Sequence, residues 1–306
     1  MADRIVIRVI VDNYVDVFVP STDVSECPIP GEASLLWAEH GLSLFAQVSH
    51  RNETKRILYD FGKSQEVFVR NSRILNLDME SLDNIALSHG HFDHYGALRY
   101  VLNSSHSECK LMVHPQAYGR KRFVRQKTGA KVYHWDFNME VAKVFDDYES
   151  SIVPRSHPTD LGVGVWLSGE IERSVSFEKG MPNAFFEEGG VNSHDELLDD
   201  QSLIIDLERK GLIVVSGCCH AGVVNTLQHA LRMFPGKRVY ALIGGLHLNN
   251  ASHEQMDQTL RFLSESGVRY ISGLHCTGYH GKKRLMDIFP DAWIPLSVGG
   301  SIFLTN

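Results

Sequence analysis

The segment Leu87-Ser88-His89-Gly90-His91-Phe92-Asp93-His94-Tyr95-Gly96 constrains this chain more than any other. It sets four groups able to bind a metal within six residues, between a strand-like run (Asn84 to Leu87) and a helical one (Tyr95 to Leu102). Side chains two apart in an extended turn project to the same side, so His89 and His91 suit one ion. Asp93 and His94 open the next helix and point elsewhere, as a second ion requires. A plain polar turn would spend Asp93 on capping that helix. Four candidate ligands in so short a stretch outweigh that reading.

The other histidines fall into a pattern. His220 follows the run Leu212 to Val215 within Ser216-Gly217-Cys218-Cys219-His220. His247 follows Arg238 to Ile243 within Gly244-Gly245-Leu246-His247-Leu248, and His275 follows Val268 to Ile271 within Gly273-Leu274-His275-Cys276. Each stands at the carboxyl end of a strand-like run, beside glycines that permit close backbone approach. If those strands lie side by side, their ends converge on one rim, where clustered imidazoles bind metal. Asp60, in Leu58-Tyr59-Asp60-Phe61-Gly62, reads either as an ordinary turn residue or as a carboxylate that accepts an imidazole N–H and aims a ligand. Cys218, Cys219 and Cys276 read as small buried side chains under the rim, with thiolate ligation as the alternative.

Further strand-like runs cover Arg4 to Val11, Leu42 to Val48, Arg56 to Tyr59, Lys110 to Val113, Ser202 to Leu207 and Ser297 to Leu304. Helical patterns cover Ser64 to Leu75, Val223 to Phe234, Met256 to Leu263 and Lys282 to Ile288. Residues 115–160 have no clean period, and Glu187 to Gln201 is acidic. The stretch from about 115 to 200 is therefore expected to be a loop-like excursion over one face, either shaping a pocket or decorating the surface. Runs of strands at both ends with helices between imply layered sheets with helices outside.

With 43% hydrophobic and 22% charged residues the chain can bury a core, which excludes a disordered protein. A formal charge of −7 disfavours a nucleic-acid-binding surface. Charges interrupt the first apolar stretch, and no run approaches the ~18 apolar residues of a membrane helix. Five cysteines, an odd and sparse set, argue against a disulfide framework. A soluble, cytoplasmic chain with no membrane partner is the expectation, and a homo-oligomer is compatible with it.

Together, Leu36 to Ser43, Leu87 to Gly96, Ser168 to Arg173, Gly217 to Leu227, Gly244 to Leu248 and His275 to Gly278 make the chain resemble the metallo-β-lactamase superfamily. Within it, the chain is similar to the branch named for the dihydropterin–ribofuranosylaminobenzene 5′-phosphate synthase of methanopterin biosynthesis. The resemblance spans nearly the whole chain and is weakest from about 120 to 160. It implies an α/β fold, an αββα four-layer sandwich, here as a single domain over 1–306 with a cap-like excursion. It implies His89, His91 and His220 as one metal site, and Asp93, His94 and His275 as a second. Many superfamily members carry a bridging Asp before the last histidine. Here Ile243-Gly244-Gly245-Leu246-His247 has no carboxylate, so His247 substitutes, or water alone bridges, or the second ion binds weakly.

A divalent ion on neutral imidazoles lowers the pKa of bound water towards ~7, and two ions ~3.5–4 Å apart share the hydroxide. One or two ions are expected: zinc first, with iron or manganese also suited to the donor set. Asp93 and His247 are the catalytic candidates, Asp93 as ligand and proton acceptor. Asp60 is the carboxylate behind the ligands. His40, Asn13 and Arg122 are candidate substrate contacts, Arg122 as part of the basic run Arg120, Lys121, Arg122, Arg125, Lys127 and Lys131, which reads either as an anion receptor or as a solvated face. The leading expectation is a metal-dependent hydrolase acting on a small anionic ester, lactone or phosphoester. The alternatives are a transferase-type synthase joining a dihydropterin diphosphate to an arylamine ribofuranosyl phosphate, and a metal-bearing binding or regulatory protein without turnover.

Overall fold

A computed structural model describes residues 1–28, 31, 34–133 and 143–306. One sheet contains β1 (Arg4–Val11), β2 (Ser25–Glu26), β3 (Ser43–His50), β4 (Glu53–Tyr59), β5 (Asn84–Ala86), β6 (Lys110–Val113), β9 (Ile152–Pro154) and β18 (Ser301–Thr305). Its order is β2-β18-β1-β3-β4-β5-β6-β9. A second sheet runs β10 (Thr159–Gly162), β11 (Val165–Leu167), β14 (Ser202–Leu207), β15 (Gly211–Ser216), β16 (Val239–Gly245), β17 (Tyr270–Leu274). The helices that pack on these sheets are α1 (Gln65–Ile74), α2 (Leu98–Ser104), α3 (Val223–Met233), α4 (His253–Ser266) and α5 (Gly278–Ile288).

The two-residue period of a strand builds the layers. In β15, Ile213 and Val215 join Ile5, Ile7, Leu44, Ala46 and Ile57 in the core between the two sheets. Leu212 and Val214 point the other way, onto Val223, Leu227, Met256, Leu260 and Leu285 of α3, α4 and α5. On the far side of the first sheet, Leu58, Ile85 and Leu111 pack against Phe68 of α1 and Leu98 and Val101 of α2. Strands buried on both faces read as unbroken apolar runs, which is why β15 and β16 stand out in the sequence. The result is an αββα sandwich of metallo-β-lactamase type. Among the described residues, no helix is long and apolar enough to cross a membrane.

Boundaries shift where caps act. Ser64 precedes α1, its hydroxyl accepting the Val67 N–H at 3.4 Å, and α2 starts only at Leu98, so Asp93 and His94 lie in a turn instead of opening the helix. The closing strand begins at Ser301, four residues later than its apolar pattern suggests. The larger correction is the excursion: β7 (Lys121–Arg125), β8 (Lys131–Tyr133), β12 (Ala184–Glu188) and β13 (Val191–His194) form a third sheet in the order β13-β12-β7-β8. The part of the expected loop at 134–142 lies outside the described residues. Burial along β7 does not alternate, for the adjacent Arg122 and Phe123 are both buried while Lys121 and Arg125 are exposed, so the strand leaves no two-residue period in the sequence.

Helix α3 has no side-chain cap from the residue that precedes it, Gly222, whose φ of 102° disfavours any side chain. Glu178 supplies the cap from outside, its carboxylate accepting the Val224 and Asn225 N–H groups at 2.8 Å each. Burial pushes this carboxyl up to about 7, against the pull of those N–H groups and of Arg173. A raised folded-state pKa means that its contribution is complete below the ordinary carboxyl range and lost as pH rises through about 7. Thermal melts should therefore show the wild type losing stability relative to Glu178→Gln between mildly acidic and neutral pH. Glu178→Leu, which uncaps the helix, should cost about 1–2 kcal/mol at mildly acidic pH and less as pH rises through about 7.

Candidate metal centre

Parallel pairing places the functional loops together. Strands β4, β5 and β6 run parallel in one sheet and β15, β16 and β17 in the other. Their carboxyl ends carry Asp60, the Ser88–His94 loop, His220, His247 and His275, while Asp12 and Asn13 follow β1. Gly244 has a φ of 120°, and a Cβ there would stand 2.0 Å from the Ser216 carbonyl oxygen, so glycine lets β16 come this close to β15.

Three imidazoles meet in one compact group. His89 Nε2 lies 2.9 Å from His91 Nδ1, and His220 Nε2 lies 3.1 Å from each of those atoms. Two nitrogens on one tetrahedral zinc, each at about 2.0–2.1 Å, stand about 3.3–3.4 Å apart, so the triangle fits a divalent ion with little adjustment. Burial, reinforced by the neighbouring imidazoles, holds His89 and His220 well below the usual histidine range. They are neutral at pH 7, with lone pairs free for a cation. The remaining Nδ1 of His89 faces the Ser88 hydroxyl at 2.8 Å, which fixes the ring.

Beside this triangle stands a second set of donors. Asp60 Oδ2 accepts the His94 Nδ1–H at 2.6 Å, turning His94 Nε2 inward to 3.2 Å from Cys218 Sγ. Burial opposes the charged ring, but Asp60 and Asp93 outweigh it and push His94 up to about 9. Asp93 Oδ2 faces His40 Nε2 at 3.1 Å and His275 Nε2 at 3.2 Å, and Asp93 Oδ1 is 4.0 Å from His94 Nε2. Although burial raises it, the Asp93 carboxyl is held well below its usual range by His94, His275 and His40. Asp93, His94 and His275 do not close into one tight group. Among the described residues, Asp93 groups with His40 and His275, and His94 with His89 and Cys218. His275 Nε2 is buried and lies 3.2 Å from Asp93 Oδ2 without hydrogen-bond geometry, a nitrogen and an oxygen that a cation held between them would satisfy.

His247 has its ring 4.4 Å from that of His220 and a backbone φ of 45°. Asn13 turns its amide inward: Asn13 Oδ1 accepts from His275 Nδ1 at 2.8 Å, and Nδ2 lies 3.4 Å from His40 Nδ1. Arg122 departs from its expected role. It is buried, its Nη1 and Nη2 donating to Asp199 at 2.8 and 2.7 Å, with Nε 2.7 Å from Asp195. A guanidinium so occupied has no fork left for a substrate anion. Four others of the basic run serve the third sheet: Lys121 and Lys131 pair with Glu187, and Arg120 and Arg125 stack on Phe186 and Phe185.

Several residues at the centre went unread in the sequence. Asp199 Oδ2 also accepts the Gly90 N–H at 2.7 Å, between the two loop histidines, and Arg122 holds Asp199 at about 2 despite its burial. Gln201 donates to Ser88 O and Leu87 O, and Asp200 accepts the N–H of Ala221 beside His220. Asp12, which the sequence does mark beside Asn13 at the end of the first strand as either a substrate contact or a turn residue, accepts the His275 N–H at 2.6 Å. The one signal was the Asp199-Asp200-Gln201 triplet directly before β14, a polar cluster where chain should be turning inward.

No protein-family model matches the chain. It is 32% identical over 272 residues, covering 88% of this chain and 91% of the relative, to the 7,8-dihydropterin-6-methyl-4-(β-D-ribofuranosyl)-aminobenzene-5′-phosphate synthase of Methanocaldococcus jannaschii. An uncharacterized protein of the same organism is 26% identical over 252 residues, covering 82% and 89% of the two chains. Among solved structures, a metal-dependent hydrolase of the β-lactamase superfamily superposes with a TM-score of 0.74 at 22% identity, over 99% of this chain and 100% of that one. A metallo-β-lactamase fold protein from Bacillus subtilis gives 0.52 at 14% identity, over 99% and 100%.

The clamp from Arg122 through Asp199 to Gly90 makes the loop histidines depend on the excursion. Asp199→Asn leaves Arg122 short of a buried counter-charge and should destabilise the fold by about 3–5 kcal/mol in chemical denaturation. In the fraction that folds, metal affinity measured by competition with a chelator should fall about 10-fold or more.

Proposed function

From the premise that this chain belongs to the metallo-β-lactamase superfamily, and within it to the family of the 7,8-dihydropterin-6-methyl-4-(β-D-ribofuranosyl)-aminobenzene-5′-phosphate synthase, we propose a metal-dependent enzyme acting on a small anionic substrate by hydrolysis. The observation that carries this reading is the triangle of ring nitrogens from His89, His91 and His220, 2.9–3.1 Å apart at the rim. These three residues would hold one divalent ion, and Asp93 with His275, joined by His94 only if its ring draws in from 4.0 Å, would hold a second. Zinc leads, with iron or manganese also suited. An ion bound there supplies Lewis acidity to an ester, lactone or phosphoester oxygen.

The chain's own groups supply the rest. Asp93 is ionised at neutral pH and can receive a proton from an attacking water. His40, half exposed, bonds to Asp93 through Nε2, and that bond raises its pKa, so the ring is a ready proton donor to a leaving oxygen. Asn13 fixes the tautomer of His275 by accepting its Nδ1–H, which leaves Nε2 facing Asp93. We read residues 1–306 as one domain, with the third sheet as a cap beside the rim.

A second reading is favoured by the relative at 32% identity, whose name is that of a synthase. In it, a dihydropterin diphosphate is joined to an arylamine ribofuranosyl phosphate, and the same donors steady the departing diphosphate. Pyrophosphate released only when both reactants are present supports transfer; turnover of single esters, lactones or phosphodiesters supports hydrolysis. In either case His91→Ala should remove bound metal and activity together, measured by elemental analysis and assay on one preparation. Full metal content in His91→Ala would contradict the assignment.

A further inference from the structure

We propose that Cys218 is a thiolate ligand of this centre, standing between its two groups of donors. The proposal rests on the metal-centre reading and adds a ligand to it.

Its first support is position. Cys218 Sγ is buried and belongs to three compact donor groups: with His89 and His94, with His220 and His247, and with His275 and Cys276. No other residue is common to all three. It therefore stands between the three-imidazole triangle and the His94 and His275 side. Asp60 aims His94 Nε2 at this sulfur, 3.2 Å away. A sulfur at about 2.3 Å and a nitrogen at about 2.1 Å from one tetrahedral ion stand about 3.6 Å apart, so a small outward shift admits the cation.

The second support is that β16 has no room for a donor of its own. A Cβ on Gly245 would lie 2.1 Å from the Gly217 carbonyl oxygen and 2.8 Å from Cys276 Sγ. The Gly217 carbonyl, next in the chain to Cys218, fills the space that a side chain at 245 would need. The third support is His275 Nε2, buried on the same side of the centre, where its one charged neighbour, Asp93 Oδ2 at 3.2 Å, is itself a candidate metal ligand. Cys276 is the weaker candidate: it belongs to one group, and its sulfur is engaged by the His247 N–H at 3.3 Å. On binding, the Cys218 S–H bond breaks, a metal–sulfur bond forms, and the proton passes to buffer.

Cobalt(II) loading of the full chain tests this without an activity assay. The wild type should show a thiolate-to-cobalt charge-transfer band in the near ultraviolet, absent from Cys218→Ser and kept in Cys276→Ser. X-ray absorption of the zinc-loaded wild type, which needs no variant, should show a sulfur neighbour at about 2.3 Å. Cys218→Ser should also hold cobalt at least about tenfold more weakly. Bound zinc with only nitrogen and oxygen neighbours, or a band that survives in Cys218→Ser, would overturn the proposal while leaving the histidine centre intact. A wild type that binds neither cobalt nor zinc would overturn the metal-centre reading and the ligand with it.

Discussion

The buried carboxylate of Asp60 is the tie on which the centre depends. Its Oδ1 accepts the Ser88 N–H, and its Oδ2 accepts both the Ser88 hydroxyl and the His94 Nδ1–H, all at 2.6–2.7 Å. One side chain thus joins the end of β4 to the loop after β5 and sets the direction of His94. Ser88 passes the constraint on, because its hydroxyl also meets His89 Nδ1. A fully buried carboxylate is tolerable only when its oxygens are satisfied in this way. Asp60 adopts a φ of 62° to reach them, a backbone strain of the kind that collects at functional sites.

The sandwich supplies the other half of the constraint. Its two sheets carry parallel strands whose carboxyl ends share a rim, so residues as distant in sequence as His89, His220 and His275 become neighbours. The third sheet is anchored to that rim through the buried Arg122, Asp195 and Asp199. Its charges serve that attachment and its own cross-strand pairs. The field at the centre comes from groups under the rim: Asp12, Asp60, Asp93 and Asp200, each close to one of the histidines or to its backbone.

How much of this could be read in advance follows from range. The tetrad is local, and the strand-end turns around His220, His247 and His275 repeat one local theme, so both were legible. So were β15, β16 and the helices that cover them, because burial on one or two faces leaves a period in the residues. The third sheet was not legible, since a half-exposed strand such as Lys121–Arg125 carries charges that mimic a solvated loop. Arg122 looked like an anion receptor because its partners Asp195 and Asp199 lie more than seventy residues away. Asn13 and Asp12 had the same difficulty: their contacts to His275 span the length of the chain. The sulfur of Cys218 needed the fold as well, because only the packing of β15 on β16 places it among the imidazoles.

The central claim is that the ring nitrogens of His89, His91 and His220 grip one divalent cation. Anomalous diffraction from crystals of zinc-loaded protein, collected on both sides of the zinc absorption edge, tests it most directly. The account expects a strong peak within about 2.0–2.1 Å of His89 Nε2, His91 Nδ1 and His220 Nε2. An anomalous map with no peak among those three nitrogens, or with zinc only at other places on the protein, would contradict it.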